Sequence, residues 1–246
     1  MLIRRRACTS WTSMKFTPLL SRGVACGLLL AMPVLTWAQQ GRQQVQASVP
    51  AEVVNVNFAD TKVGGTALYP MRRMEVQVKA LENAKLLTDP AAEVPNKTWV
   101  DKVKVTVTLA YESTSPRAKK AGSGGPNFAF YRSSATILTM KKGTQASVFF
   151  YLPGDVVERD GLKKDPFGFL VDLEVDGTEV PIDKFGGSGR AVSKTIKNAQ
   201  EMAQFKDLAA QGILQNAGIL RPQYQVPFER EQALTPTLLR EDVTNL

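Results

Sequence analysis

Lys102-Val103-Lys104-Val105-Thr106-Val107-Thr108-Leu109 is the stretch whose reading decides the fold. Valine and leucine fall at every second position. Successive side chains of a strand point to opposite faces, so this stretch has one dry face and one wet face. Such one-sided alternation belongs to antiparallel sheets, whereas strands of parallel sheets, buried on both faces, read as unbroken apolar runs.

The pattern recurs on both sides. Upstream, Met74, Val76, Val78 and Ala80 alternate with Glu75, Gln77 and Lys79, and Val54, Val56 and Phe58 alternate with Asn55 and Asn57. Downstream, strands are predicted over residues 128–140, 146–152 and 167–175, the last alternating Phe169, Val171, Leu173 and Val175 with Leu170, Asp172 and Glu174. Asp176-Gly177 then supplies a type I′ hairpin turn into Thr178-Glu179-Val180, because that turn needs positive φ at both central residues. Lys142-Gly143 is a weaker signal of the same kind. Roughly seven half-wet strands with no long helix among them must cover their apolar faces with one another, which predicts a mainly β, antiparallel two-layer sandwich over residues 50–185.

Composition changes at Gly186-Gly187-Ser188-Gly189. Beyond it Val192, Ile196, Ala199, Met202, Phe205, Leu208 and Ala209 are spaced by three and four, the signature of one apolar stripe on a helix, which Gly212 ends or weakens. The stripe is expected to pack on its own domain. The remaining tail carries Ile219, Leu220, Tyr224, Val226 and Phe228 around Pro222 and Pro227. Those prolines keep it extended and able to add to a sheet edge or groove, so these five are the candidate partner-binding residues. The expected order is a signal peptide at 1–38, a polar linker at 39–49, the sandwich at 50–185, and a Gly-rich linker, amphipathic helix and Pro-containing tail at 186–246.

Export is read from the beginning of the chain. Arg4, Arg5, Arg6, Lys15 and Arg22 precede or flank an apolar run over 24–37, and Ala38 stands before Gln39 and Gln40, the layout of a cleavable secretory signal. Met14 opens a leader of ordinary length. The run falls short of the roughly 20 residues of a spanning helix and Pro33 interrupts it, so no transmembrane anchor is expected after cleavage. Cys26 lies inside the apolar run, where a lipoprotein cysteine would follow it. The destination is the periplasm or the cell surface.

Removing the leader removes five of the 31 basic residues and none of the 23 acidic ones, leaving an excess of three positive charges mixed with acidic residues along the chain. Nucleic-acid binding, which calls for a basic stripe interleaved with aromatics, is disfavoured. Both cysteines, Cys8 and Cys26, leave as well, so no disulfide braces the mature chain and its stability must come from burial.

The chain has no histidine, which excludes Ser-His-Asp triads, histidine bases and histidine metal sites. Cysteine nucleophiles and thiolate zinc sites go with the leader. Gly122-Ser123-Gly124-Gly125-Pro126 lacks the Lys-Ser or Lys-Thr of a phosphate loop and reads as a hairpin connection. A two-carboxylate glycosidase survives elimination, with Asp172 and Glu174 on one strand face roughly 6.6 Å apart. Any wet strand face produces that spacing, and a solvated face is the plainer reading. Asp155, Glu158, Asp160 and Asp165, with Gly154 and Gly161, offer carboxylates to calcium without the order of an EF-hand, and read as a charged loop. Arg117, Lys119 and Lys120 read as a soluble basic loop. No enzymatic activity, cofactor or metal is expected; the alternative is a carbohydrate-active β-sandwich, lectin-like or hydrolytic.

Val53-Val54-Asn55-Val56-Asn57-Phe58, the strand over 99–111, Phe149-Phe150-Tyr151-Leu152-Pro153 and Gly218-Ile219-Leu220-Arg221-Pro222-Gln223-Tyr224 behind an exported leader together resemble the pilus-like secreted proteins of verrucomicrobia. The resemblance spans most of the mature chain. It implies an immunoglobulin-like β-sandwich, without enzymatic activity, that engages a protein partner in a type IV pilus-like or cell-envelope assembly. A pilin leader and a long apolar assembly helix are both missing here, so the implied role is that of an accessory and not of a filament subunit.

Overall fold

Alternation holds in β1, β2, β3 and β7 once two breaks in it are located. A computed structural model describes residues 49–61, 69–113, 119–120, 127–162, 165–186, 190–226 and 235–240. The leader, Arg117 and Phe228 lie outside the described residues. In chain order the strands are β1 (Ala51–Thr61), β2 (Met71–Ala80), β3 (Trp99–Glu112), β4 (Lys119–Lys120), β5 (Asn127–Lys141), β6 (Gln145–Leu152), β7 (Gly168–Val175), β8 (Thr178–Val180), β9 (Arg221–Pro222) and β10 (Leu238–Leu239), and the helices are α1 (Ala84–Thr88), α2 (Gly154–Arg159) and α3 (Ala199–Ile213).

One sheet runs β1-β2-β6-β9, and the other runs β10-β5-β3-β7-β8 with β4 beside β5. Every pairing between these strands is antiparallel. The placement of β1, β2 and β6 on one sheet, and of β5, β3, β7 and β8 on the other, is the A-B-E and C′-C-F-G division of an immunoglobulin-like Greek key. The antiparallel sandwich is therefore the fold, with the C-terminal helix and tail laid on it.

The first break lies in β1. Val53 pairs with Val78 but Asn55 pairs with Gln77, so Val54 is an extra, bulged residue. Ala51, Val53, Val56 and Phe58 face the core in consequence, and Val54, expected on that face, does not. The second break is Lys102, held in the left-handed region at φ 51°. It turns both Val100 and Val103 inward, three residues apart, where unbroken alternation would have turned one of them out. Asp176 and Gly177, at φ 48° and 83°, form the expected type I′ turn.

Between the sheets, β3 contributes Val103, Val105, Val107, Leu109 and Tyr111, facing Val76 and Val78 of β2 and Val148 and Phe150 of β6. The outer face of the second sheet is apolar too. There Ala110, Phe128 and Phe130 pack under Phe205, Leu208 and Ala209 of α3, while Leu170 meets Val192, Ile196 and Met202. The helical stripe thus covers its own domain and makes a third layer.

The helix is shorter at its start than its apolar spacing predicts. Val192 bridges to Leu170 of β7 as extended chain, and α3 begins only after Asn198, whose Oδ1 accepts from the Glu201 N–H at 2.8 Å while the Glu201 carboxylate accepts from the Lys197 N–H at 2.7 Å. Side-chain capping of this kind satisfies amides that the first turn leaves unpaired. Gly212 does not end the helix. It lies buried within it, and a Cβ there would stand 2.7 Å from a ring carbon of Phe130.

Candidate functional site

The five candidate partner residues divide on burial. Leu220 is 2% exposed and belongs to the main core, and Val226 is 7% exposed against Phe149 and Tyr151 on the outer face of the first sheet. Ile219 and Tyr224 are half-buried against the main core, and Phe228 lies outside the described residues. The chain pairs Pro222 with Phe150 in β6, and the Gln223 side chain accepts the Phe149 N–H at 2.9 Å. Leu220 and Val226 thus pack on the chain's own sheets.

Acidic side chains are likewise engaged locally. Oδ1 of Asp172 lies 2.9 Å from Lys206 Nζ of α3, an ion pair in distance though not a hydrogen bond in angle, and Lys206 also stands 3.7 Å from Glu179. Glu174 pairs across strands with Lys104 and Glu179. Asp172 and Glu174 do share the outer face of β7, where Lys206 of α3 reaches Asp172.

Among the four carboxylates considered for calcium, Asp160 is 2% exposed and turned inward. It accepts from Tyr131 Oη at 2.9 Å and from two guanidinium nitrogens of Arg159 at 2.8 Å each, while Ser113 Oγ donates to its backbone carbonyl at 2.6 Å. Burial pushes the Tyr131 hydroxyl far above its usual range, and the Asp160 charge adds to the effect, so Tyr131 remains a donor. Asp155 and Glu158 ride on α2. Among the described residues no three acidic side chains come together as metal ligands would.

An opening lies at the edge where β1 faces β7 and β8. β8 stops after three residues, Pro181 follows, and pairing with β7 resumes only where Val171 N–H donates to Ala191 C=O at 2.7 Å and Ser193 N–H to Phe169 C=O at 3.0 Å. Beside residues 180–184 lies a cleft of about 370 Å³. Val49, Ala51 and Val53 form one wall, Val171, Leu173 and Val180 the other, and Glu52, Asp183, Lys184 and Arg190 stand at the rim. Arg190 Nη1 donates to the carbonyl of Val54, the bulged residue of β1. Sequence reading missed this site because its walls come from segments more than a hundred residues apart and no motif joins them. The only local sign was the Pro181 that cuts β8 short.

Strand order and core define the class: an immunoglobulin-like β-sandwich. A crystal structure of a protein from Akkermansia muciniphila has the same kind of fold, with a TM-score of 0.55 at 12% identity over 79% of this chain and 95% of that one. At that identity the likeness is one of fold. No protein-family profile and no curated protein matches the chain. Among the described residues no helix is long and apolar enough to cross a membrane.

Proposed function

We propose that the chain is an exported, non-enzymatic binding or structural module that engages a protein partner in a pilus-like or cell-envelope assembly. The observation that carries this reading is the pairing of an apolar cleft with a β1 edge to which, among the described residues, no strand is paired, a surface suited to another polypeptide. Supporting it, the acidic groups best placed for chemistry, Asp160 and Asp172, are engaged in contacts that join elements, Asp160 with the Tyr131 hydroxyl of β5 and Asp172 with Lys206 of α3. The resemblance to verrucomicrobial pilus-like proteins and a likeness of fold to a protein from Akkermansia muciniphila point the same way.

The test is chemical cross-linking on intact cells that express the chain, followed by mass spectrometry of fractionated envelopes. The expected outcome is recovery outside the cytoplasm, with an N-terminus at Gln39 and cross-links from Lys184 or other rim residues to an envelope protein. Retention in the cytoplasm, or turnover of a glycan that Asp172→Asn and Glu174→Gln both abolish, would reverse the reading.

A further inference from the structure

We infer that Asn96 is an acceptor for an N-linked sugar, transferred to its side-chain nitrogen from a glycosyl diphosphate. The inference goes beyond the assembly reading above and does not depend on it.

Asn96-Lys97-Thr98 is the one place in the chain where serine or threonine stands two residues after an asparagine. Such a triplet, with any residue but proline in the middle, is what N-glycosylating transferases read, and it belongs on a surface loop. A triplet also arises by chance, so the case rests on where the fold places it. Asn55, Asn83, Asn198 and Asn216 engage their Nδ2 within the fold, on Asn57 Oδ1 at 3.3 Å, the Trp99 carbonyl at 2.9 Å, the Glu201 carboxylate at 3.2 Å and the Phe130 carbonyl at 3.0 Å. Asn96 differs from all four. Its Oδ1 accepts from the Thr98 N–H at 3.2 Å and from Thr98 Oγ1 at 2.8 Å, and among the described residues its Nδ2 has no partner.

The surrounding chain suits entry into a transferase. Residues 93–98 belong to no strand or helix and are exposed, Val94 alone being half-buried. The loop is tied back on either side, where Ala92 N–H donates to Asp89 C=O at 3.0 Å and Lys142 N–H to Thr98 C=O at 2.7 Å. Neither sheet has to unpair for the triplet to be reached.

A carboxamide nitrogen is a poor nucleophile because its lone pair is shared with the carbonyl. Hydrogen bonds into Oδ1 draw electron density toward oxygen and make the Nδ2 hydrogens more acidic, and the Thr98 hydroxyl supplies the shorter of the two. In the transfer, Nδ2 forms a bond to the anomeric carbon as the bond from that carbon to the diphosphate oxygen breaks. The diphosphate leaves with the electron pair, one Nδ2 proton passes to a base of the transferase, and nothing is oxidised or reduced. Nucleotide-linked sugars in the cytoplasm and lipid-linked sugars at the membrane are both donors of this class.

Mass spectrometry of the chain from the cells that naturally make it tests the inference. Cleavage after Lys85 and Lys97 releases residues 86–97, and this peptide is compared between the full chain recovered from the envelope and a chain that begins at Gln39 and stays in the cytoplasm. The envelope peptide is expected to be heavier by whole sugar residues, carried on Asn96. Asn96→Gln and Thr98→Ala are expected to abolish the gain and Thr98→Ser to keep it, all with unchanged circular dichroism, since these side chains are exposed. A gain in both chains assigns the nucleotide-linked donor, and a gain in the envelope chain alone the lipid-linked one. An unmodified Asn96 in the envelope chain overturns the inference. So does a sugar that survives Thr98→Ala, or one that sits on Thr88, the only hydroxyl in the peptide. A full chain that never reaches the envelope counts against the export reading instead, and the same peptide from the cytoplasm still decides for or against the sugar.

Discussion

Tyr131 and Asp160 meet at 2.9 Å in a place almost closed to solvent, and the contact joins β5 to the turn that follows α2. Arg159 shares the carboxylate from a more exposed position, so the phenol supplies the donor on the buried side. Removing one partner from a buried hydrogen bond leaves the other with its desolvation cost, on the order of 1–3 kcal/mol. Tyr131→Phe is therefore expected to destabilise the fold by about that much, read as a lower urea midpoint at unchanged slope; an unmoved midpoint would mean that Arg159 alone satisfies Asp160. A second residue-scale prediction concerns Glu75 on the outer face of the first sheet. Partial burial would raise its pKa, but hydrogen bonds from Gln77 at 2.9 Å and Ser147 at 2.8 Å, together with Asn57 and the charge of Arg73, hold it below the ordinary 4.5. A depressed folded pKa contributes stability that is present above the unfolded value and lost as pH falls through the folded one. The stability gap between the native chain and Glu75→Gln should be widest near neutral pH and shrink below about pH 4.5, measured as urea midpoints across that range; a gap independent of pH would show that the carboxylate's charge is not what the ladder stabilises.

At the scale of elements, the close approach of α3 to β5 gives the sharpest prediction. Alanine is favoured over glycine inside a helix by about 1 kcal/mol, yet a Cβ at Gly212 would press on the ring of Phe130, which packs beneath the helix. Overpacking of this sort typically costs about 1–3 kcal/mol, so Gly212→Ala should lower the thermal midpoint, and Phe130→Leu should be less damaging in that background than in the native one. If Gly212→Ala raised the midpoint, helix propensity would have prevailed and the contact would be looser than its geometry. The same position shows what sequence reading could reach. Period-two alternation located β2, β3 and β7, because those segments have one apolar face, and turn chemistry located Asp176-Gly177 between β7 and β8. It misassigned Val54, since a bulge shifts the parity of a strand without any marker residue, and it did not foresee Lys102 at positive φ, where glycine or asparagine would be the usual sign. Gly212 looked like a helix stop because close packing against Phe130 is a tertiary fact. The start of α3 was blurred for a related reason: Val192 and Ile196 continue the helical spacing while serving β7 as extended chain.

Over the whole molecule, the two open sides of the sandwich are treated differently. On the side of β5 and β6 the tail closes both sheet edges: β9 pairs with β6, Gln223 accepts the Phe149 N–H, Val226 covers Phe149 and Tyr151, and β10 pairs with β5. Covering edges in this way removes templates for unwanted strand pairing. On the opposite side the β1 edge is met by Arg190 alone among the described residues, and the cleft stays open. Apolar composition could not tell which of these two jobs the tail performs, because a segment that docks on its own sheet and one that docks on a partner need the same alternation of leucine, valine and tyrosine with proline. Burial decides it for Leu220, whose side chain is 2% exposed within the core shared by both sheets. Leu220→Ala is expected to cost about 2–5 kcal/mol, as for other fully buried leucines, whereas Ile219→Ala, half-buried at the edge of the same cluster, should cost distinctly less. Ending the chain after Ala217 should cost more than Leu220→Ala, since the β9 pairing and the Gln223 bond go as well. Urea midpoints of the three variants check the order. A Leu220→Ala chain of native stability that fails to retain an envelope partner would show that the tail is a docking segment after all; a destabilised one assigns it to the fold and leaves the β1 side as the face available for assembly.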